Sequence, residues 1–279
     1  APKRPVEEAK PTQSVQELQT QARQALQQGD YLRAEDLFIQ LVNSQGLGRE
    51  QRIRAWKGLV RAAEQNRRFQ IMELALQEWA GLEPEVTRDW SWHSRLLQSL
   101  WALDKMEEWR EHGLHIVQDS SKNWSLRVRT AVYLARMQLQ SGQAGDIWPE
   151  LNRLWEQAES DPDRAELEKA FIRMSKSLGP GIWSQLPLEG RAVEKGFPWN
   201  LLTWAKTLQA LEQGQTTWPG AWSRLQAVLQ KSDLVSGDWL RDQLQTLKTE
   251  YGRPGYCTAL LCPMSGPYGR IGWKIVLGA

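Results

Sequence analysis

The feature that most constrains this fold is an internal period of 37 to 38 residues. Apolar and small residues recur at matching positions in segments that begin at Val15, Ile53, Trp90 and Val128, which lie 38, 37 and 38 residues apart. Within each segment the apolar residues follow helical spacing on both sides of a turn, as at Gly29 in the first. Each segment therefore predicts a pair of helices. Because one pair cannot bury its apolar face alone, four in succession predict stacked pairs around a continuous core.

The first segment, QARQALQQGDYLRAEDLFIQLV, resembles the tetratricopeptide repeat. Gly29 permits the tight turn between two helices, and Ala34 lets them approach closely. Phe38 and Leu41 are expected to fill the seam against the next pair. The second segment keeps this pattern and the later ones follow it more loosely. The resemblance implies an all-α fold, a tetratricopeptide-like α-solenoid, and the alternative is an irregular helical bundle.

The spacing exceeds the usual repeat of about 34 residues. We interpret the extra residues as longer turns, such as SQGLGRE around Gly46 and Gly48. Beyond Pro162 the period weakens, but DRAELEKAFIRMSKSL predicts a helix that GPGIWSQLPLEG then interrupts with two prolines. NLLTWAKTLQALEQG and PGAWSRLQAVLQKS predict another pair.

A last helix is predicted by SGDWLRDQLQTLKTEYG, with Ser236 as its N-cap and Gly252 as its stop. We therefore expect the helical domain to cover residues 15–251. The Pro-rich residues 1–14 have mixed charge and few apolar residues, so they predict a disordered tether.

Composition and motifs favour a binding protein over an enzyme. Lys and Arg number 35 against 33 Asp and Glu, and a net charge of +2 provides no global field for nucleic acid or membrane. No P-loop, Rossmann glycine pattern, GxSxG or HExxH motif is present, so we predict no catalytic residue, metal site or cofactor. In EEWREHGLH, Glu108 and Glu111 each precede a histidine by four residues. We expect His112 and His115 to form surface charge pairs with them.

In tetratricopeptide proteins the first helix of each repeat lines a concave groove through positions 2, 5, 9 and 12. Six of the sixteen residues at these positions are cationic and one is acidic. The resemblance therefore implies a locally basic groove for a protein partner, suited to an acidic peptide segment. The alternative is an Arg-rich face that only meets solvent. The predicted partner-binding residues are Arg23, Arg54, Lys57, Arg61, Trp101, Arg129 and Arg136.

The end of the chain has a different pattern. Residues 256–262 are almost continuously apolar, as in a strand buried on both faces, and residues 263–268 are typical of a turn. Ile271, Ile275 and Val276 then follow helical spacing. Residues 252–279 therefore predict the first strand, loop and helix of an α/β domain that continues past Ala279.

This stretch, LLCPMSGPYGRIGWKIVLGA, resembles the opening of type I periplasmic binding proteins of the branched-chain amino-acid class. In that family the loop after the first strand faces the ligand cleft at a helix N-terminus. The resemblance implies Ser265 and Tyr268 as ligand-loop residues. The matching positions are Pro263, Ser265, Gly266, Pro267, Tyr268, Gly272, Gly278 and Ala279.

Helical repeats followed by such a domain resemble the outer-membrane lipoprotein activators of penicillin-binding proteins. The resemblance implies a periplasmic, non-catalytic scaffold within a lipoprotein that stimulates a peptidoglycan synthase. Membrane contact is then expected only through a lipidated cysteine that precedes Ala1, and no nucleic acid is expected as a partner. The alternatives are a helical extension of a periplasmic solute receptor and a general tetratricopeptide adaptor.

Overall fold

The structure is a computed structural model that describes residues 14–142, 147–186, 196–231 and 233–255. Within these ranges the chain is all-helical and has no strand. This confirms the predicted all-α class for this part of the chain and is compatible with an α-solenoid. Most of the predicted tether, residues 1–13, lies outside the described residues. So do residues 256–279, including Ser265 and Tyr268.

The chain divides into two compact units, Ala1–Leu186 and Pro187–Ala279. The predicted boundary at residue 252 stays a prediction. In the first unit the described helices are α1 Val15–Gln28, α2 Tyr31–Val42, α3 Arg49–Gln65, α4 Phe69–Leu82, α5 Trp90–Ala102, α6 Met106–Gln118, α7 Trp124–Gln140, α8 Ile147–Glu156, α9 Asp161–Lys176 and α10 Pro180–Gln185. In the second they are α11 Trp199–Glu212, α12 Trp218–Lys231 and α13 Gly237–Tyr251. No described helix is long and apolar enough to cross a membrane.

The first helical pair begins and turns where the sequence predicts. Ser14 caps α1: its hydroxyl accepts a hydrogen bond from the Glu17 backbone N–H, and the Glu17 carboxylate accepts one from the Ser14 N–H. This reciprocal capping satisfies two N–H groups that the helix start leaves free. Gly29 then ends α1 with a φ of +78°, a left-handed conformation that confirms its predicted turn role.

Consecutive helices of the first unit pack against each other from α1 to α8, and α9 packs on α7. Further contacts join α1 to α3 and α5 to α7, which are the first helices of successive pairs. Contacts that skip one helix are what a stack of helical pairs requires. The connections are long, as interpreted from the sequence: residues 43–48 separate α2 from α3, and a 3₁₀ turn, Pro84–Arg88, separates α4 from α5.

Phe38 fills the seam between the first two pairs, as predicted. Its side chain is 3% exposed, and its ring covers Gly58 of α3, where an added Cβ would lie 2.2 Å from the ring. The seam between the third and fourth pairs is built the same way. There Leu134 of α7 covers Gly113 of α6, and an added Cβ would lie 2.6 Å from it. A glycine under a large side chain thus lets these neighbouring helices approach closely.

Buried carboxylates also join successive pairs. Glu35 of α2 is 1% exposed and accepts a hydrogen bond from the Asn66 side-chain amide at 2.8 Å. It also pairs with Arg68 at 3.3 Å. One pair further on, Glu73 of α4 accepts from Lys105 at 2.7 Å. Glu35 and Glu73 lie 38 residues apart and their cations 37 apart, so the sequence period carries these polar contacts as well as the apolar core.

The second unit packs around Trp204, which is fully buried, and around leucines of α12 and α13. Trp218 at the start of α12 joins the end of α13: its indole N–H donates to the Gly252 carbonyl at 3.0 Å, and its ring stacks on Tyr251 at 5.3 Å. Gly252 ends α13 with a φ of +81°, as predicted. Ser236 does precede α13, but the expected side-chain cap is wrong, because its hydroxyl accepts no hydrogen bond from the helix N-terminus.

Candidate functional site

The first helices of successive pairs form an open cleft of about 540 Å³. We call it the α5–α7 cleft, since most of its lining comes from those two helices and a single residue comes from α3. The lining residues are Glu64, Trp90, Ser91, Ser94, Arg95, Gln98, Tyr133, Arg136, Met137 and Gln140.

Helical spacing explains which side chains reach the cleft. On α5, Ser91, Ser94 and Gln98 recur every three to four residues on one face, while the buried Leu96 and Leu100 lie on another. These leucines hold the helix against its neighbours. Because the apolar face of α5 is buried in the core, its polar face lies towards the cleft.

Two arginines line the cleft, and they differ in their partners. Arg95 donates from Nε to Glu64 Oε2 at 2.9 Å and from Nη1 to the Ser91 carbonyl at 3.3 Å, so its charge is largely satisfied within the protein. Arg136 is exposed and pairs with no carboxylate among the residues the structure describes. The cationic group that the cleft offers to a partner is therefore Arg136.

Two aromatic rings form the wall between the helices. Trp90 of α5 and Tyr133 of α7 meet edge to face, with ring centroids 5.8 Å apart and planes at 68°. Burial raises the pKa of Tyr133 above 10, while Arg136 acts in the opposite direction. The phenol is therefore protonated at neutral pH. Its O–H has no hydrogen-bond partner among the described residues, so it can act as a donor in the cleft.

The predicted groove residues do not all meet at this cleft. Arg136 lines it, while Arg23, Arg61 and Arg129 are exposed on α1, α3 and α7. None of these three forms an ion pair with another described residue. Whether these residues bind a partner stays a prediction.

The remaining three predicted groove residues have partners within the protein. Arg54 pairs with Glu50 on the same helix at 3.8 Å. Lys57 pairs with Glu83 at 2.9 Å and lies over the Trp79 ring. Trp101 packs edge to face against Trp109 of α6, with ring centroids 5.0 Å apart. A partner would have to displace these contacts to use Arg54 or Lys57.

Repeat positions 2, 5, 9 and 12, from which the groove was predicted, include only half of the residues that line the cleft. The other lining residues each lie one residue away from one of those positions: Trp90, Arg95, Tyr133, Met137 and Gln140. A helix turns about 100° per residue, so a cleft between two helices is lined by a stripe wider than four positions. Helical spacing from Ser91 and from Arg129 would have found Arg95 and Tyr133 at i+4.

A second cleft, of about 480 Å³, lies between α4, α5 and α6, and His112 and His115 are among its lining residues. The expected surface pairing of His112 with Glu108 is wrong. Its Nε2 instead lies 3.0 Å from Nδ1 of the buried His93, whose Nε2 is 2.7 Å from the Thr87 carbonyl. Burial, with His93 next to it, lowers the pKa of His112 to about 4. Within the described ranges no three His, Cys, Asp or Glu side chains are arranged to hold a metal ion.

The comparisons with known proteins identify no relative. No protein-family model matches the chain, and neither a curated protein nor a solved structure is significantly similar to it.

Proposed function

We propose that this protein is a non-catalytic, tetratricopeptide-like scaffold that binds an acidic segment of a partner protein along the first helices of its repeats. The observation that carries the proposal is the α5–α7 cleft, where the exposed Arg136 has no carboxylate partner among the described residues. Arg61 and Arg129 are also exposed and pair with no described carboxylate, so they extend this positive charge along α3 and α7.

Several carboxylates of the first unit are not available to balance these arginines. Carboxylates such as Glu35, Glu73 and Glu83 already have cationic partners. The arginines on the first helices that pair with no described carboxylate therefore produce a local positive field in a chain that is nearly neutral overall. Such a field favours an acidic partner and raises the association rate. Because exposed charges are screened by salt, we expect binding to weaken as the ionic strength rises.

We further propose that the partner is a periplasmic peptidoglycan synthase, and that the full-length protein is an outer-membrane lipoprotein that activates it. This rests on the sequence resemblance of residues 260–279, together with the helical repeats that precede them. It adds the identity of the partner and the compartment to the scaffold proposal, and it is tested separately.

The scaffold proposal is tested by charge reversal at one exposed arginine. We expect Arg61→Glu to weaken partner binding by about tenfold, since it both removes an attraction and adds a repulsion. Arg33→Glu is the matched control, because Arg33 is exposed at the start of α2, on a second helix of a pair. Equal effects of the two substitutions would contradict a partner site on the first helices.

The synthase proposal is tested by pull-down of purified periplasmic synthases with the full-length protein, followed by a glycan-polymerisation and cross-linking assay. We expect binding and stimulation, and we expect Arg61→Glu to reduce both. If an acidic partner of another kind is recovered and no synthase binds, the synthase proposal is wrong while the scaffold proposal stands.

A further inference from the structure

We infer that an aromatic side chain of the partner packs in the α5–α7 cleft against the joined rings of Trp90 and Tyr133, and that Arg136 binds a carboxylate two residues away from it. The inference rests on the proposed function and specifies the recognised segment. It predicts an extended peptide in which an aspartate or glutamate lies two positions before or after an aromatic residue.

The ring site follows from the aromatic pair. Trp90 and Tyr133 are both half-buried and meet edge to face at 5.8 Å, so each fixes the position of the other. Preorganised tryptophan and tyrosine side chains are the residues that most often dominate binding energy at protein interfaces. A cleft of about 540 Å³ has room for a phenyl or indole ring and the backbone that carries it.

The carboxylate site follows from the hydrogen-bonding groups of the cleft. Several lining residues carry N–H or O–H groups that donate to no described residue: Arg136, Tyr133, Trp90, Gln98 and Gln140. The carboxylate in the lining, Glu64, already accepts from Arg95. The charged acceptor of the lining is thus occupied while the guanidinium of Arg136 is not, which favours an anionic ligand, and this guanidinium can bind a carboxylate through two hydrogen bonds.

The distance between the two sites sets the sequence of the ligand. Tyr133 and Arg136 are three residues apart on α7, which places their Cβ atoms roughly 5–6 Å apart on one helix face. In an extended peptide, side chains two residues apart point the same way and are separated by about 6.6 Å. An aromatic residue against Tyr133 thus brings the side chain two positions away to Arg136.

Selection of random displayed peptides on the immobilised full chain tests the inference. We expect enrichment of acidic peptides in which an aromatic residue lies two positions from an aspartate or glutamate. Enrichment of acidic peptides without the aromatic residue would overturn the inference and leave the proposed function standing. No enrichment of acidic peptides would count against both.

A double-mutant cycle then tests the direct contact, using fluorescence anisotropy with one recovered, labelled peptide. We expect Tyr133→Ala to weaken binding by tenfold or more, and to have little further effect once the peptide's aromatic residue is alanine. Tyr133→Phe should retain most of the affinity because it keeps the ring. Independent, additive losses from the two changes would overturn the contact.

The carboxylate contact has its own matched control. Arg136→Gln should weaken binding about tenfold for the acidic peptide and much less for a version with asparagine in place of the acid. Arg33→Gln removes the same charge from α2 and should leave both affinities unchanged. If Tyr133→Ala lowers the melting temperature too far, Trp90→Ala replaces it, since Trp90 is only the first residue of α5.

Discussion

Acidification should destabilise the packing of α5 against α6, because two partly desolvated imidazoles meet there. A carbonyl only accepts, so Nε2 of His93 donates to the Thr87 carbonyl. In the neutral ring Nδ1 is then an acceptor, and His112 Nε2 donates to it at 3.0 Å. Protonation of either ring places a charge in this desolvated site, and protonation of His93 at Nδ1 removes the acceptor of the bond.

The magnitude follows from the pKa of His112, which burial and the adjacent His93 lower from 6.5 to about 4. Between these values the unfolded chain binds the proton more readily than the folded one. The stabilisation is therefore fully present above pH 6.5 and is lost as the pH falls towards 4. The total loss is about 3 kcal/mol, of which about 2 kcal/mol accrues between pH 7 and 5. His93 adds to it, since burial lowers its pKa as well.

Other charged groups near His112 act on the same equilibrium. His115 and Lys122 both lower its pKa, so they favour the neutral ring. Glu73, Glu108 and Glu111 line the cleft beside it and would favour the charged ring if they approached it. The pH dependence is therefore set first by burial of the His112 ring and then by the adjacent His93.

Imidazole proton resonances followed across a pH titration measure the pKa of His112 directly. The chain has three histidines, so their signals can be separated. We expect the His112 signal, assigned with His112→Gln, to titrate near pH 4. Guanidinium titrations at pH 7 and 5 should show the parent losing about 2 kcal/mol more than His112→Gln does. His115→Gln, on the exposed side of α6, should retain most of the parent's pH dependence, because burial and His93 contribute more to the His112 shift than His115 does. Titration of His112 near 6.5 would refute the reasoning.

Two further predictions concern the seams between helical pairs. Gly58→Ala should lower the free energy of unfolding by about 1–3 kcal/mol, because the new Cβ would lie 2.2 Å from the Phe38 ring. Gly81→Ala is the control: its Cβ would meet no atom within 4 Å, so the substitution should be neutral or stabilising. Equal thermal shifts for the two would contradict the close packing. Glu35→Ala should cost about 2 kcal/mol in guanidinium titrations, since the buried carboxylate holds the next pair. Glu50→Ala, at an exposed pair, should cost less than about 0.5 kcal/mol, and a comparable loss there would contradict the role of burial.

Much of the helical fold could be predicted because its signals are local. Gly29 ends α1 at a turn and Gly252 ends α13, and each effect depends on a single residue. The apolar period identified Phe38 as a residue of the seam between helical pairs. The glycine beneath Phe38 was not predicted, because Gly58 is a weak helix former whose purpose appears only with its neighbour. Ser236 shows the converse: a residue typical of helix caps can precede a helix without accepting its N–H groups.

The candidate site was less predictable, since it depends on contacts between distant residues. The repeat positions suggested Arg136 but could not separate it from Lys57, whose charge is used by Glu83. Nor could they reveal Trp90 beside Tyr133, which are 43 residues apart. His112 was misjudged because its neighbours in sequence are glutamates, whereas its partner in space is His93 on another helix.

Hydrogen exchange of the full chain, with and without an acidic aromatic peptide from the selection, tests the binding account most directly. We expect the peptide to slow exchange in α3, α5 and α7, around residues 61–64, 90–98 and 129–140, and to leave α2, α4 and α6 unchanged. Protection confined to α2, α4 and α6 would contradict a partner site on the first helices of the repeats.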